Sequence, residues 1–339
     1  MVLAIPVRWT AQAITVLALL TIFFLSRHSV YDFAESRAGI ESPSTSSDEK
    51  LGYVTWLGKT GVGDDEKDVY FLATRLLVYQ ILHDPSTRSP RSLPIIVMTT
   101  PDVKEANKQR LQADGATVIP IDFVTEGLDW LKPRRPTWAH IMSKLRAWQL
   151  TAYSRLLMLD GDLILRRPLD SVFDETNATI IPTLSAPPNE IKLDENPLPA
   201  KYLFAAAPEV NGPKHHYPPT REHDDFIHAQ EFNMGFALLA PSQEMFEYYI
   251  SILRIPDRFY GGKMEQSLLN YAHRPGGAMP WQDLPFTYNI RSPLEEDILG
   301  NVASLHDKWW GKTEQYPALA GWYRAKQEEM LRFYAEREM

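Results

Sequence analysis

Two aspartates separated by one glycine interrupt an apolar stretch near the middle of the chain. Residues 156–159 are apolar, Asp160, Gly161 and Asp162 follow, and a second apolar run begins at once. The first run predicts a strand buried on both faces, which places both carboxylates at its carboxyl end, where open α/β sheets bind ligands. Two carboxylates one residue apart suit a hard divalent cation that keeps positions open for phosphates, and the glycine permits a tight turn. The pattern predicts a metal–diphosphate site; a strand-end turn that serves only the backbone is the alternative.

Strands and helices alternate along most of the chain, and this alternation predicts a largely parallel sheet. Apolar runs predict the strands, and apolar residues at helical spacing predict the helices, the first of which has Asp68 as its N-cap. The predicted strands are 51–57, 93–98, 116–121, 156–159, 232–239 and 301–305, and the predicted helices are 68–82, 102–113, 141–153, 242–253, 264–271 and 313–339.

The composition bounds the class of protein. The 339 residues, 44% of them hydrophobic, suffice for one large or two small domains with a sizeable core. A net charge of −8 without a basic stripe argues against a nucleic-acid-binding protein. The chain contains no cysteine, so disulfides, thiol nucleophiles and thiolate metal sites are excluded.

The first 50 residues differ from the rest. Residues 9–26 carry no charge and lie between Arg8 and Arg27. This length meets the lower limit for crossing a bilayer, and no small-residue cleavage site follows, so we expect an uncleaved signal anchor rather than a cleaved signal peptide. The predicted organisation is a short cytoplasmic tail at 1–8, a transmembrane anchor at 9–26, a stem at 27–50, a lumenal catalytic domain at 51–312 and a C-terminal helix at 313–339 that packs on this domain.

Residues 182–219 break the pattern of alternating elements. They contain nine prolines and little periodicity, which is typical of an active-site loop or of a disordered insertion. Four histidines lie in this segment or close behind it: His215, His216, His223 and His228. Their spacing lacks the regularity of a metal-binding tract, so we interpret them as loop residues.

Eight short segments together resemble glycosyltransferase family 8, the glycogenin-like group with the GT-A fold. They follow the family's order between residues 52 and 311 and include Leu-Asp-Gly-Asp-Leu-Ile-Leu at 159–165 and Glu-Gln-Ser-Leu-Leu-Asn at 265–270. The others lie at 53–55, 68–70, 143–145, 232–235, 284–289 and 305–309. The resemblance implies an α/β protein with a single GT-A, Rossmann-like nucleotide-sugar transferase domain and a mostly parallel central sheet. With the N-terminal transmembrane helix, it implies a fungal-type, membrane-anchored member.

The resemblance also implies a metal site. Asp160 and Asp162 match the aspartates that hold Mn²⁺ (or Mg²⁺) against the diphosphate of a UDP-sugar, with Gly161 between them. His306 matches the third ligand of the ion. Two carboxylates and an imidazole suit Mn²⁺, which accepts oxygen and nitrogen ligands. For His306 taken alone, a packed core histidine is the alternative.

Other matching positions would bind the nucleotide. Tyr70 matches an aromatic residue that stacks on uracil, and Val54 and Thr55 lie where the first strand meets the base. Lys144 matches a lysine that reaches the phosphates, where a cation would offset the charge on the leaving UDP. Lys308 is a second such candidate, although the family's Lys-Pro-Trp is Lys-Trp-Trp here. The alternatives are a buried face of the helix for Tyr70 and a solvated helix surface for Lys144.

Four positions would face the transferred sugar. Asn233 and Gly235 match the strand beside the sugar, and Glu265 and Gln266 stand where the family has an acidic residue or a glutamine. Glu265 would stabilise the oxocarbenium-like centre or orient the acceptor, and Gln266 would hold sugar hydroxyls. The resemblance implies retention of configuration but does not identify a nucleophile.

The function implied is Mn²⁺-dependent transfer of a hexose or N-acetylhexosamine (glucose, galactose or N-acetylglucosamine) from a UDP-sugar to a glycan, glycolipid or glycoprotein acceptor. The anchor predicts a single-pass type II protein of the Golgi or another secretory membrane. Residues 182–228 and the C-terminal helix are expected to set the acceptor. A UDP-sugar-binding protein without activity and a glycogenin-like self-glucosylating initiator remain as alternatives. A phosphotransferase of the haloacid-dehalogenase kind also uses Asp-x-Asp after a strand. Its nucleophilic aspartate is usually followed by Asp-Gly-Thr, whereas here Leu-Ile-Leu begins at Leu163.

Overall fold

Twelve strands are present in the computed structural model, which describes residues 49–58, 68–134, 138, 140–185, 190–226, 231–311 and 317–338. Their bounds are β1 (Leu51–Leu57), β2 (Ile95–Thr99), β3 (Thr117–Pro120), β4 (Arg155–Leu159), β5 (Leu163–Leu165), β6 (Ile181–Pro182), β7 (Lys201–Tyr202), β8 (Phe204–Pro208), β9 (Phe232–Leu239), β10 (Gln282–Asp283), β11 (Ile290–Arg291) and β12 (Ser304–His306). Seven of them form the central sheet in the order β10-β8-β9-β4-β1-β2-β3.

Helices connect and cover these strands. Their bounds are α1 (Val69–Leu82), α2 (Glu105–Ala113), α3 (Gln243–Leu253), α4 (Glu265–Ala272), α5 (Glu295–Leu299) and α6 (Pro317–Glu338), with a 3-10 helix at Ile141–Gln149 before β4. The predicted N-cap of the first helix is confirmed, because the Asp68 carboxylate accepts hydrogen bonds from the backbone N–H groups of Tyr70 and Phe71 at 3.1 and 3.2 Å.

Four of the six strand pairings in the central sheet are parallel, as predicted, but β9 is antiparallel to both of its neighbours, which corrects the prediction for this strand. β1 pairs in parallel with β2 and β4, and β2 with β3. β9, however, runs antiparallel to both β4 and β8. All eight residues of β9 are buried, and a strand covered on both faces has the same continuous apolar sequence in either direction. The sequence of β9 therefore could not reveal its orientation.

The predicted membrane-spanning helix ahead of the domain is also corrected. Among the residues that the structure describes, no helix combines the length and apolar character needed to cross a bilayer. The predicted tail, anchor and stem at 1–8, 9–26 and 27–50 lie outside these residues up to position 48. The predicted Golgi location is not tested and stays a prediction.

A second, three-stranded sheet in the order β11-β12-β5 joins distant parts of the chain. β12 runs antiparallel to β5, with His306 opposite Leu163. Leu163 directly follows the Asp-Gly-Asp sequence. This pairing therefore brings a histidine from near the end of the domain beside the two aspartates.

The proline-rich segment contains two strands that the sequence did not predict. β7 and β8 lie within residues 182–219, and β8 joins the central sheet between β9 and β10. β8 is short and consists largely of alanine (Phe-Ala-Ala-Ala-Pro), so its hydrophobic signal is weak. Residues 186–189 and 227–230, which include His228, lie outside the described residues.

The C-terminal helix α6 packs against α1. Met330 is fully buried, the Tyr79 hydroxyl donates to a Glu329 carboxylate oxygen at 2.9 Å, and Lys326 donates to Asp84 at 2.7 Å. These contacts cover the side of α1 that would otherwise expose Tyr79.

A histidine buried beside strand β8 gives the stability of the fold a pH dependence. His273 follows α4 and is fully buried, with Nδ1 donating to the Met279 carbonyl at 2.7 Å and Nε2 accepting from the Tyr249 hydroxyl at 2.6 Å. Its ring stacks on Phe204 at 4.4 Å. Burial lowers the pKa of His273 to about 4, because the core disfavours the charged ring.

We expect the free energy of unfolding to fall by about 2 kcal/mol from this group between pH 7 and pH 5. The unfolded chain takes up the proton at its ordinary pKa near 6.5, whereas folded His273 stays neutral until about pH 4. Stability is therefore lost as the pH falls from about 6.5 to 4. Urea unfolding at both pH values measures the loss, and the His273→Gln variant should show a smaller one. An equal loss in the variant would assign the effect to other groups.

Candidate active site

The two aspartates lie in the short connection between β4 and β5, and their backbone is held on both sides. The Asp160 N–H donates to the Gly235 carbonyl at 2.9 Å, and the Trp309 indole N–H donates to the Asp162 carbonyl at 3.0 Å. A Cβ at Gly161 would lie 2.9 Å from the Thr74 hydroxyl oxygen. A glycine is thus needed here for the close approach of α1 rather than for an unusual backbone angle.

His306 faces both carboxylates. Its Nε2 lies 3.0 Å from Asp162 Oδ1 and 3.6 Å from Asp160 Oδ2, and one ligand atom from each of the three residues lies within 4.8 Å of the others. Asp162 and His306 are buried, whereas Asp160 is half-buried. Two of the three side chains are therefore shielded from solvent, and an ion would approach the cluster past Asp160.

Gly235 on β9 forms the floor beneath the imidazole. A Cβ at this position would lie 2.3 Å from His306 Cε1 and 2.7 Å from His306 Nδ1. The Gly235 N–H donates to Asn233 Oδ1 at 2.9 Å. The missing side chain at Gly235 therefore leaves room for the His306 ring. The hydrogen bond from the Gly235 N–H also holds the Asn233 side chain close to this position.

Two lysines flank the aspartates. Lys144, from the 3-10 helix, lies 2.6 Å from Asp160 Oδ1 and 3.2 Å from Glu265 Oε1. On the other side, Lys308 lies 3.1 Å from Asp162 Oδ2. Lys144 is buried, so it is not the solvated helix lysine of the alternative interpretation.

These charges shift the acid–base properties of the buried groups. Burial opposes ionisation of Asp162, but His306 and Lys308 outweigh it and hold the pKa of Asp162 well below its usual range. Burial also opposes protonation of His306, but the two aspartates raise its pKa above the ordinary value. Burial raises the pKa of Glu265 to about 6, and the nearby Lys144 limits the rise. Opposite charges are thus closely paired throughout the site.

The donor set fits a divalent cation. Two carboxylates and one imidazole are ligands that Mn²⁺ and related ions accept. His306 presents Nε2 to the carboxylates, while its buried Nδ1 has no hydrogen-bond partner among the described residues. Of the two aspartates, Lys144 contacts only Asp160, and Lys308 contacts only Asp162. Neither lysine therefore occupies the space between the two aspartates and His306. The residues present can therefore hold the ion that the sequence predicted.

Tyr70 is half-buried, and it packs against the core on one side while lying beside Lys308 on another. Its ring is 4.8 Å from the Trp310 ring in an edge-on arrangement, and Lys308 Nζ lies 5.0 Å from the Tyr70 ring centroid and 5.8 Å from that of Trp310. The Lys-Trp-Trp sequence thus joins an aromatic pair to the cation that contacts Asp162. Flat aromatic surface next to a cation and a metal site suits a nucleoside diphosphate.

Two predicted nucleotide-binding residues are less closely linked to the cluster. Val54 and Thr55 are fully buried in β1, where Val54 packs in the main hydrophobic cluster and Thr55 pairs with Val97 of β2. The Thr55 hydroxyl is buried and has no hydrogen-bond partner among the described residues. Their placement supports the sheet, and their predicted role toward the base stays a prediction.

A carboxylate that the sequence interpretation missed holds Gln266 in place. The Gln266 amide oxygen accepts from the Met234 N–H at 3.2 Å, and its Nε2 donates to Glu209 at 2.7 Å. Glu209 is buried and lies 2.8 Å from the Arg291 guanidinium and 3.4 Å from Lys263. Glu209 directly follows β8 in the segment that was interpreted as irregular, so only recognition of β8 would have revealed it.

Comparison with known proteins identifies relatives along most of the chain. The chain is 30% identical to an uncharacterized protein of Schizosaccharomyces pombe over 84% of this chain and 80% of that protein. Galactinol synthase 1 of Solanum lycopersicum is 25% identical over 76% of this chain and 69% of its own length. Glycogenin-1 of Oryctolagus cuniculus is 24% identical over 58% and 47%, respectively.

No family model matches the chain. Among solved structures, the galactosyltransferase LgtC aligns over 81% of this chain and 99% of its own, with 15% identity and a TM-score of 0.47. The sequence relatives carry the assignment, since galactinol synthase and glycogenin are both members of the group that the sequence segments predicted. The chain is a glycosyltransferase and belongs to glycosyltransferase family 8.

Proposed function

We propose that the protein is a divalent-metal-dependent transferase that uses a UDP-hexose as its donor. The observation that carries the proposal is the convergence of Asp160, Asp162 and His306 between two lysines. This arrangement offers ligands for one cation and positive charge on both sides of it, which suits a diphosphate. The similarity to galactinol synthases favours galactose among the three sugars considered.

Asp160, Asp162 and His306 would hold the metal ion, which when bound would act as a Lewis acid toward the diphosphate. Lys308, which lies 3.1 Å from Asp162, would contact a phosphate there, where its charge would stabilise the leaving UDP. Tyr70, which lies 5.0 Å below Lys308 Nζ, would stack on the uracil. The nucleotide would then lie along the edge formed by β12 and the start of α1.

The donor sugar would lie toward β9 and α4. Asn233 and Gln266 offer amide groups that are already oriented by backbone hydrogen bonds, so they can bind sugar hydroxyls without further ordering. Glu265 faces Lys144, and its second carboxylate oxygen is buried with no hydrogen-bond partner among the described residues. We propose that this oxygen faces the transferred sugar and stabilises positive charge there, with overall retention of configuration.

Release of UDP tests the proposed function directly. The full chain is incubated with UDP-galactose, UDP-glucose and UDP-N-acetylglucosamine, each with Mn²⁺, Mg²⁺ or EDTA. We expect release from one donor with metal and none with EDTA. Binding of UDP and Mn²⁺ without release from any donor, even with sugar acceptors added, would favour the protein without activity. Sugar attached to the chain itself, seen by mass spectrometry, would favour the self-glucosylating initiator. Absence of UDP binding would refute the proposal.

The stacking role of Tyr70 gives a further prediction. The Tyr70→Ala variant is expected to bind UDP about 5- to 150-fold more weakly, since loss of one base–aromatic stack costs about 1–3 kcal/mol. Tyr70→Phe keeps the ring and should bind UDP nearly as well as the unchanged protein. Calorimetry with UDP and Mn²⁺ measures both affinities. Equal affinities for the alanine and phenylalanine variants would place the base elsewhere.

A further inference from the structure

A second cluster of metal-ligating side chains lies in the loop formed by residues 211–226. The Asn211 N–H donates to the Asp225 carbonyl at 2.6 Å, and Val210 and Phe226 form an isolated antiparallel bridge. The two ends of the loop are thus held together. The loop leaves the sheet two residues after Glu209, at the edge of the proposed sugar site.

Asp225 is the centre of this loop. Its side chain is fully buried, and its Oδ1 and Oδ2 accept the backbone N–H groups of His216 and Thr220, each at 2.8 Å. These bonds hold the carboxylate in one orientation. Burial opposes its charge, but the backbone donors and His216 lower the pKa of Asp225 to about 2.

Two exposed imidazoles converge on the same carboxylate. His216 Nδ1 lies 2.9 Å from Asp225 Oδ1, and His223 Nδ1 lies 4.0 Å from Oδ2. The side chains of His216 and His223 are 66% and 61% exposed, so a solvated ion can reach both rings. The ring centroids are 5.0 Å apart.

We propose that Asp225, His216 and His223 form a binding site for a transition-metal ion of the Zn²⁺ class. One ligand atom from each residue lies within 4.8 Å of the others, and ligands around a tetrahedral zinc ion with bonds of about 2.0 Å are about 3.3 Å apart. A small movement of His223 closes the site. The fourth position faces solvent and would take water.

The chemistry of this cluster differs from that of the proposed active site. Two imidazoles and one carboxylate favour Zn²⁺ over Mn²⁺, whereas the Asp160 cluster offers two carboxylates and one imidazole. The backbone bonds of Asp225 account for the shape of the loop but not for the approach of two exposed histidines to one buried charge. A bound ion would link His216, in the first half of the loop, and His223, in the second half, to Asp225.

Contacts beyond the cluster link the loop to the remainder of the domain. His215 Nε2 lies 2.8 Å from Asp297 of α5, and Tyr217 fills the space that a side chain at Gly300 would occupy. An ion at Asp225 would therefore fix a segment that is already anchored to α5 and that lies within residues 182–228, which are expected to set the acceptor. The proposal does not depend on the identity of the donor sugar.

Metal binding is measured on the full chain carrying Asp162→Asn, which removes a ligand of the first site. After EDTA treatment and its removal, the protein is titrated with Zn²⁺ against a chromophoric chelator, and then with Co²⁺, whose visible absorption reports tetrahedral coordination. We expect about one equivalent of bound Zn²⁺. Adding His216→Ala and His223→Ala together should weaken this binding by at least about 100-fold.

The matched control is His140→Ala in the same Asp162→Asn protein, because His140 is also exposed and its loss should leave Zn²⁺ affinity unchanged. Equal urea midpoints would show that the variants remain folded. NMR provides a measurement without loop variants, since Zn²⁺ should shift the imidazole signals of His216 and His223. Unchanged affinity in the double histidine variant, shifts confined to other histidines, or no Zn²⁺ binding in the Asp162→Asn protein would each overturn the proposal.

Discussion

Replacing Asp162 with asparagine is expected to lower the rate of UDP release from the sugar donor by about a thousandfold. The side chain keeps its shape but loses the charge that faces His306 at 3.0 Å and Lys308 at 3.1 Å. A bound metal ion contributes several kcal/mol to stabilising the leaving diphosphate, and about 4 kcal/mol corresponds to a factor of about a thousand. The same change should weaken Mn²⁺ binding, which electron paramagnetic resonance measures directly.

The matched control for this prediction is Asp174→Asn. Asp174 is 56% exposed and forms an ion pair with Arg91 on the surface, so the same chemical change should leave both turnover and Mn²⁺ affinity close to those of the unchanged protein. Surface ion pairs contribute little to stability. If Asp162→Asn retained full turnover while both variants stayed folded, the metal role of the Asp-Gly-Asp sequence would be wrong.

The two aspartates could be found from sequence because their signal is local. An apolar run, two carboxylates and a glycine occur within a few residues, and this pattern alone indicates a strand followed by an oxygen-rich turn. The N-cap at Asp68 was found for the same reason, since a cap and its helix are neighbours in the chain. Local patterns thus predicted the two aspartates of the candidate site but not the residues that contact them.

The partners of the aspartates come from far along the chain, and no local pattern predicts them. His306 and Lys308 reach Asp162 only through the antiparallel pairing of β12 with β5. The family resemblance supplied both His306 and Lys308, and the structure adds that Lys308 lies 3.1 Å from Asp162. Glu209 was missed because alanine-rich β8 lacks the β-branched residues by which strands are usually recognised.

The direction in which a strand runs is a further feature that its sequence does not show. Hydrophobicity records how deeply a residue is buried but not which way its strand runs, so buried β9 resembled a parallel strand. Its antiparallel direction has a functional consequence. It places Gly235 opposite the end of β4, where the Gly235 carbonyl accepts from the Asp160 N–H at 2.9 Å.

Gly235 therefore provides the second large prediction. In the Gly235→Ala variant we expect Mn²⁺ affinity to fall by about 10- to 100-fold, the usual effect of disturbing the support of a metal ligand, with a loss of turnover at least as large. The new methyl group would lie 2.3 Å from His306 Cε1 and 2.8 Å from Asn233 Oδ1. Both neighbours must move, and movement of a buried imidazole on a paired strand takes Nε2 away from Asp162.

The cause of this loss can be separated from the general cost of alanine in place of glycine. Gly276→Ala is the matched control, since a Cβ there meets no atom within 4 Å. Gly235 lies in a regular strand whose backbone alanine can adopt, so only the contact with His306 and Asn233 distinguishes the two sites. If Gly235→Ala kept the Mn²⁺ affinity of Gly276→Ala, His306 would not be a ligand. A joint loss of Mn²⁺ affinity and turnover, with the urea midpoint largely retained, would show that the antiparallel strand β9 supports the metal site and that it can do so only because position 235 has no side chain.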